Sequence, residues 1–114
     1  MGHADGHDTP EYYNMLKVLD GYIAQIVEAV KEAGILDDTI FIVTSDHGGI
    51  KKGHGGKTMQ EMETAFIISG KGIKNGYEFT ESMMQFDTAA TIAHIFNLKQ
   101  PQVWIGRPMV QVFK

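Results

Sequence analysis

Leu16, Leu19, Ile23, Ile26, Val27 and Val30 recur at intervals of three and four across 9–34, and a short turn at Asp37-Asp38 then delivers the chain to the unbroken apolar run Thr39-Ile40-Phe41-Ile42-Val43-Thr44. The first pattern is the stripe of a helix packed on one face. Its ends are marked: Thr9 can cap, Pro10 suits the first helical position, Glu11 complements the helix dipole and Gly34 stops the helix. The run 39–44 is β-branched and aromatic without alternation, which predicts a strand covered on both faces and therefore a parallel, central one. A helix feeding a strand through a short loop is half of a βαβ unit, so a strand before residue 1 is implied.

Beyond this pair, the glycine-rich stretch 46–58 reads as a loop, 64–69 as a second buried strand and 70–76 as another loop. Asp87 can cap a helix over 88–96 with Ala89, Ile92, Ala93 and Phe96 inward. The tail 101–114 is read as irregular with a short extended piece. At 114 residues and 43% hydrophobic content, the expectation is an α/β chain forming one partial domain over 1–114.

The formal charge of -4, with lysines scattered rather than in a stripe, leaves no footprint for nucleic acid. No apolar run reaches the about 18 residues that cross a bilayer. The absence of cysteine removes disulfides, thiolate nucleophiles and Cys-ligated zinc, so any metal must use imidazole and carboxylate.

Those donors cluster. Thr44-Ser45-Asp46-His47-Gly48-Gly49 leaves the C-terminal end of the first strand, where open α/β sheets place ligands, and the glycines let the backbone approach closely. Gly53-His54-Gly55-Gly56 follows on the same loop and can fold back beside Asp46 and His47. The resulting nitrogen and oxygen set suits zinc, whereas manganese or magnesium prefers more oxygen.

The opening Gly2-His3-Ala4-Asp5-Gly6-His7-Asp8-Thr9-Pro10-Glu11-Tyr12-Tyr13 resembles the segment at the Asp-x-x-Gly-His metal motif of type I phosphodiesterases and nucleotide pyrophosphatases, in the alkaline phosphatase superfamily. The strand ending in Ser45-Asp46-His47-Gly48 is similar to that superfamily's, as are His54 with Met62-Glu63-Thr64-Ala65-Phe66-Ile67-Ile68, and Phe86-Asp87-Thr88-Ala89 with Gly106-Arg107-Pro108-Met109. The resemblance implies the C-terminal portion of a three-layer fold with a mainly parallel sheet. It also implies two divalent metal ions, Asp46 and His47 binding one, His3 and His54 the other. The nucleophile and two Asp ligands are then expected before Met1, so the chain is read as a fragment of a larger metallohydrolase, inactive alone. The expected substrate of the whole enzyme is a phosphate ester or nucleotide-like small molecule. A sulfatase or phosphomonoesterase, or a non-catalytic α/β module associating through exposed strand edges, are the alternatives; sulfatase ranks below phosphodiesterase on the opening motif. The whole protein is read as periplasmic or secreted if it carries a signal peptide.

Other residues have plainer readings. His7 is expected as a turn residue before the Thr9 cap and His94 as a solvated side chain on the outer face of the last helix. Lys51, Lys52 and Lys57 fit a solvated face or an anion-holding one, and Trp104 fits an anchor for the tail.

Overall fold

The computed structural model describes residues 2–114 and divides into two compact units, Met1–Lys71 and Gly72–Lys114. In the first unit a short helix α1 (Gly2–Asp5) precedes the long helix α2 (Pro10–Glu32). The start of α2 is as the sequence marks it: Thr9 is extended, its hydroxyl accepts from Tyr12 N at 3.3 Å, and Pro10 follows. Its end is a Schellman motif. Gly34 has φ 72°, its N–H donates to Lys31 O at 2.9 Å and Ile35 N donates to Val30 O at 3.3 Å, closing carbonyls that the helix leaves open.

A single 3-10 turn (Leu36–Asp38) leads into β1 (Ile40–Thr44), and after a loop containing the helical turn α3 (Met59–Met62) the chain enters β2 (Phe66–Gly70). The two strands pair antiparallel, with Thr44 opposite Phe66 and Ile40 opposite Gly70. This departs from the parallel pairing expected of the pattern. A parallel neighbour would need a crossover that carries the chain back to the strand's starting end. Here the loop 45–65 stays at the end where Thr44 leaves, and β2 starts directly opposite. An unbroken apolar run reports that both faces are apolar; it does not report strand direction.

Leu16, Leu19 and Ile23 of the α2 stripe face Val43 and Thr44 of β1 across an open cleft, and no residue of α2 is fully buried: Leu16 and Leu19 retain 44% and 45% exposure and Ile26 58%. At the far end of the sheet, Lys71 pairs with Asp38, and that hydrogen bond and charge hold the Asp38 carboxyl below its ordinary value.

The second unit has the tighter core. Ile73, Ala90, Ala93, Met109 and Val112 are buried, and Ile73 forms a bridge with Phe113. Its helix α4 (Asp87–Ile95) does not sit as the hydropathy pattern suggests: Ala93 is buried, but Ile92 is 40% and Phe96 69% exposed, while Asp87 and Thr91 are inside. Nor does Asp87 cap the helix. Its carboxylate instead accepts from Met84 N at 2.8 Å and Arg107 N at 2.9 Å, and the Thr91 hydroxyl accepts from Met109 N at 3.1 Å while donating to Asp87 O at 2.8 Å. Hydrogen bonds to two loops set the rotation of α4, because a buried carboxylate must be satisfied whereas a few apolar side chains can remain in water. Trp104 is also not the expected anchor, being 44% exposed; Met109 and Val112 hold the tail. His94 is exposed, as expected, with its ring 5.2 Å from Phe113.

Replacing Asp87 by Ala strands two backbone donors at once, and hydrogen bonds to a charged acceptor contribute about 1.5–3 kcal/mol each. A loss of about 3 kcal/mol is expected, read as a lower urea midpoint and faster hydrogen exchange at the Met84 and Arg107 amides. Unchanged exchange at both amides would rule out this role for the carboxylate.

Candidate metal centre

Ser45, Asp46 and His47 leave the C-terminal end of β1, and the chain is then caught by α3: Gly48 N donates to Glu61 O at 2.9 Å and Gly49 N to Gln60 O at 2.8 Å. A Cβ on Gly48 would collide with Gln60 O, so the absence of a side chain is what permits this approach. The next turn is tight. Ile50 and Gly53 exchange both backbone hydrogen bonds at 3.0 Å around Lys51, which has φ 51°. That geometry turns the carbonyls of Lys51 and Lys52 toward the N-terminal segment.

Three histidines use backbone carbonyls in the same way. His3 Nδ1 lies 3.1 Å from Lys52 O, His7 Nδ1 3.0 Å from Lys51 O, and His47 Nδ1 2.6 Å from Gly48 O. A carbonyl oxygen can only accept, so in each neutral ring Nδ1 carries the proton and Nε2 keeps its lone pair. Metal-ligating imidazoles are commonly oriented in this manner.

The rings also converge. His54 stacks on His47 with centroids 3.8 Å apart and planes 26° from parallel, and lies 5.0 Å from the His3 ring. Asp46 stands beside them, its Oδ1 accepting from His47 N at 3.1 Å and its Oδ2 3.6 Å from His47 Nε2. The structure thus brings together His3, Asp46, His47 and His54, the residues singled out from the sequence. It does not group three of them into a ready cage: among the described residues no set of three His, Asp or Glu side chains is arranged to hold one ion. Stacking supplies the reason for the central pair, since lone pairs lying in two nearly parallel ring planes do not meet at a common point.

His7 lies in the turn before the Thr9 cap, as expected, and also belongs to the same neighbourhood. Its ring packs where a Cβ on Gly2 or Gly49 would stand, 6.4 Å from His3 and 5.4 Å from Tyr12. The signal was present in the sequence as the repeated Gly-His at positions 2–3 and 6–7. Beside these residues lies a cleft of about 670 Å³, walled by Tyr12, Leu16, Leu19 and Ile23 of α2 and by Val43 and Thr44 of β1, with His7, Asp46, His47 and Glu63 at its polar side.

The sulfatase family model matches residues 2–98. The chain is 26% identical over 121 aligned residues to arylsulfatase K of Danio rerio, covering 95% of the chain and 23% of that protein. It is 29% identical over 101 residues to the extracellular sulfatase SULF-1 homolog of Drosophila melanogaster, covering 83% and 9%. Against GPI ethanolamine phosphate transferase 1 of Chaetomium globosum the identity is 34% over 73 residues, covering 63% and 8%. The chain therefore spans less than a quarter of the length of each of these relatives. No solved structure matches it significantly. These findings favour the sulfatase alternative over the phosphodiesterase reading taken from the opening motif. With a family match running from Gly2 through the cluster of imidazoles and on into the second unit, the chain belongs to the sulfatase family, within the alkaline phosphatase superfamily.

Proposed function

We propose that the longer polypeptide is a metal-dependent hydrolase of sulfate esters, to which this chain contributes Asp46 and His47 for one divalent ion and His3 and His54 for a second. The observation that carries the reading is the convergence of the His3, His54 and His47 rings beside Asp46. The donor chemistry fits: imidazole nitrogen with carboxylate oxygen suits zinc, and Nδ1 of both His3 and His47 is already engaged by a carbonyl, leaving Nε2 available. Bound divalent ions would offset charge on the non-bridging oxygens of the ester. The net reaction adds water across the sulfur–oxygen ester bond, releasing sulfate and an alcohol.

The chain's own residues orient that chemistry. The carbonyls of Lys51 and Lys52 hold His7 and His3, the α3 carbonyls hold the glycines behind His47, and the cleft against α2 offers apolar surface next to the polar cluster. Phosphate-ester hydrolysis is the second reading, favoured by the Gly2-His3 to Tyr12-Tyr13 opening and by the relative named as an ethanolamine phosphate transferase. Two relatives are named extracellular sulfatases, which supports export of the longer protein.

The longer enzyme should hydrolyse p-nitrocatechol sulfate with a higher kcat/KM than bis-p-nitrophenyl phosphate, and Asp46→Ala should lower that value at least about a hundredfold. The opposite substrate preference would select the phosphodiesterase reading. For the 114-residue chain by itself, two ligands per ion leave an incomplete shell. Calorimetry with zinc should give a dissociation constant weaker than about a micromolar, and a nanomolar value would mean that the chain already holds a complete set. Nitrogen-15 NMR of the neutral rings should find Nδ1 protonated in His3, His7 and His47; an Nε2-protonated His3 or His47 would sink the proposed ligand atom.

A further inference from the structure

Each histidine of the loop 45–65 is followed by a pair of glycines, Gly48-Gly49 after His47 and Gly55-Gly56 after His54. The single turn α3 engages both pairs. Its main chain takes the first, through the Gln60 and Glu61 carbonyls already described. Its Glu61 side chain takes the second: Oε1 accepts from Gly56 N at 2.8 Å and Oε2 accepts from the Thr58 hydroxyl at 2.6 Å. The carboxylate lies so close to the chain that a Cβ on Gly56 would overlap Oε2. Hydrogen bonding from the Thr58 hydroxyl, then from Gly56 N–H, holds the Glu61 carboxyl below the usual carboxylate range, with the His54 charge adding in the same direction and partial burial opposing.

Without such a hold, the stretch 53–57, with Gly53, Gly55 and Gly56 around His54, would carry large backbone entropy and spread the His54 ring over many positions. We propose that Glu61 is a positioning residue: by clamping Gly56 and Thr58 from the turn that also holds Gly48 and Gly49, it sets the His54 ring against His47. The purpose of this arrangement rests on the metal reading above; its geometry does not.

The test uses the 114-residue chain in four forms: wild type, Glu61→Ala, Glu61→Gln and Gly56→Ala. Two quantities are read, the NOE between the His47 and His54 ring protons in metal-free protein, and zinc affinity by calorimetry with zinc chloride. Glu61→Gln should keep the ring contact, because an amide oxygen can still accept from Gly56 N and the amide nitrogen can donate to the Thr58 hydroxyl. Glu61→Ala should lose the contact and weaken zinc by about tenfold or more. Gly56→Ala should do the same without changing residue 61, since Gly56 lies outside the left-handed region and the added methyl meets the Glu61 carboxylate and displaces it.

Cross-strand contacts between Ile42 and Ile68 report that β1 and β2 remain paired in each variant. Should Glu61→Ala unfold the chain, loss of the ring contact in Gly56→Ala with retention in Glu61→Gln still supports the proposal. Persistence of the His47–His54 contact in Gly56→Ala overturns it. Loss of the ring contact in Gly56→Ala supports the positioning role even where the isolated chain binds zinc too weakly to detect, whereas a nanomolar wild-type affinity would overturn the two-ligands-per-ion assignment and leave the positioning role intact.

Discussion

The approach of Gly48 and Gly49 to the carbonyls of α3 is the contact on which the first unit depends. It returns the chain to the end of the sheet it has just left, and the antiparallel pairing of β1 with β2 follows from that return. It also aims Asp46 and His47, since the two residues are stretched between the last ladder position, Thr44 opposite Phe66, and the first glycine held by α3. A side chain at position 48 would have to displace the main chain of Gln60. Glycine is therefore a geometric requirement at this position as well as a source of freedom.

Polar contacts likewise decide the second unit. The buried surface of α4 contains Asp87 and Thr91, and their hydrogen bonds reach the amides of Met84, Arg107 and Met109. Two separate stretches of chain, at 84 and at 107–109, meet at one carboxylate and one hydroxyl of the helix. The helix rotates to satisfy them, leaving Phe96 69% exposed. That balance is reasonable on magnitudes: an unsatisfied buried carboxylate costs several kcal/mol, against about 1.5–3 kcal/mol for full burial of a large apolar side chain.

At the candidate site the same economy of backbone carbonyls recurs. The tight turn around Lys51 presents successive carbonyls to His7 and His3, and Gly48 presents one to His47. Each fixes a tautomer, and together they turn three rings into potential Nε2 donors. The stacked His47 and His54 rings cannot aim their lone pairs at one point, which agrees with assigning them to different ions. With two candidate ligands for each proposed ion, this chain by itself offers an incomplete shell.

Much of this was legible in the sequence. Thr9, Pro10 and Gly34 mark both ends of α2 because capping chemistry is local and acts through neighbouring backbone groups. Asp46, His47 and His54 could be selected because metal-binding chemistry restricts the residue types and the glycines around them expose the backbone. The antiparallel sense of β2, the rotation of α4, the exposure of Trp104 and the place of His7 were decided only by tertiary structure. Strand direction depends on where a connecting loop folds back, and that depends on a contact between Gly48 and Gln60, which no periodicity encodes. Burial of Asp87 depends on amides at positions 84 and 107 arriving at one point. His7 enters the site through a carbonyl distant in sequence, that of Lys51. Local order follows from residues acting on their own backbone, whereas these features require partners that only folding brings within hydrogen-bond reach.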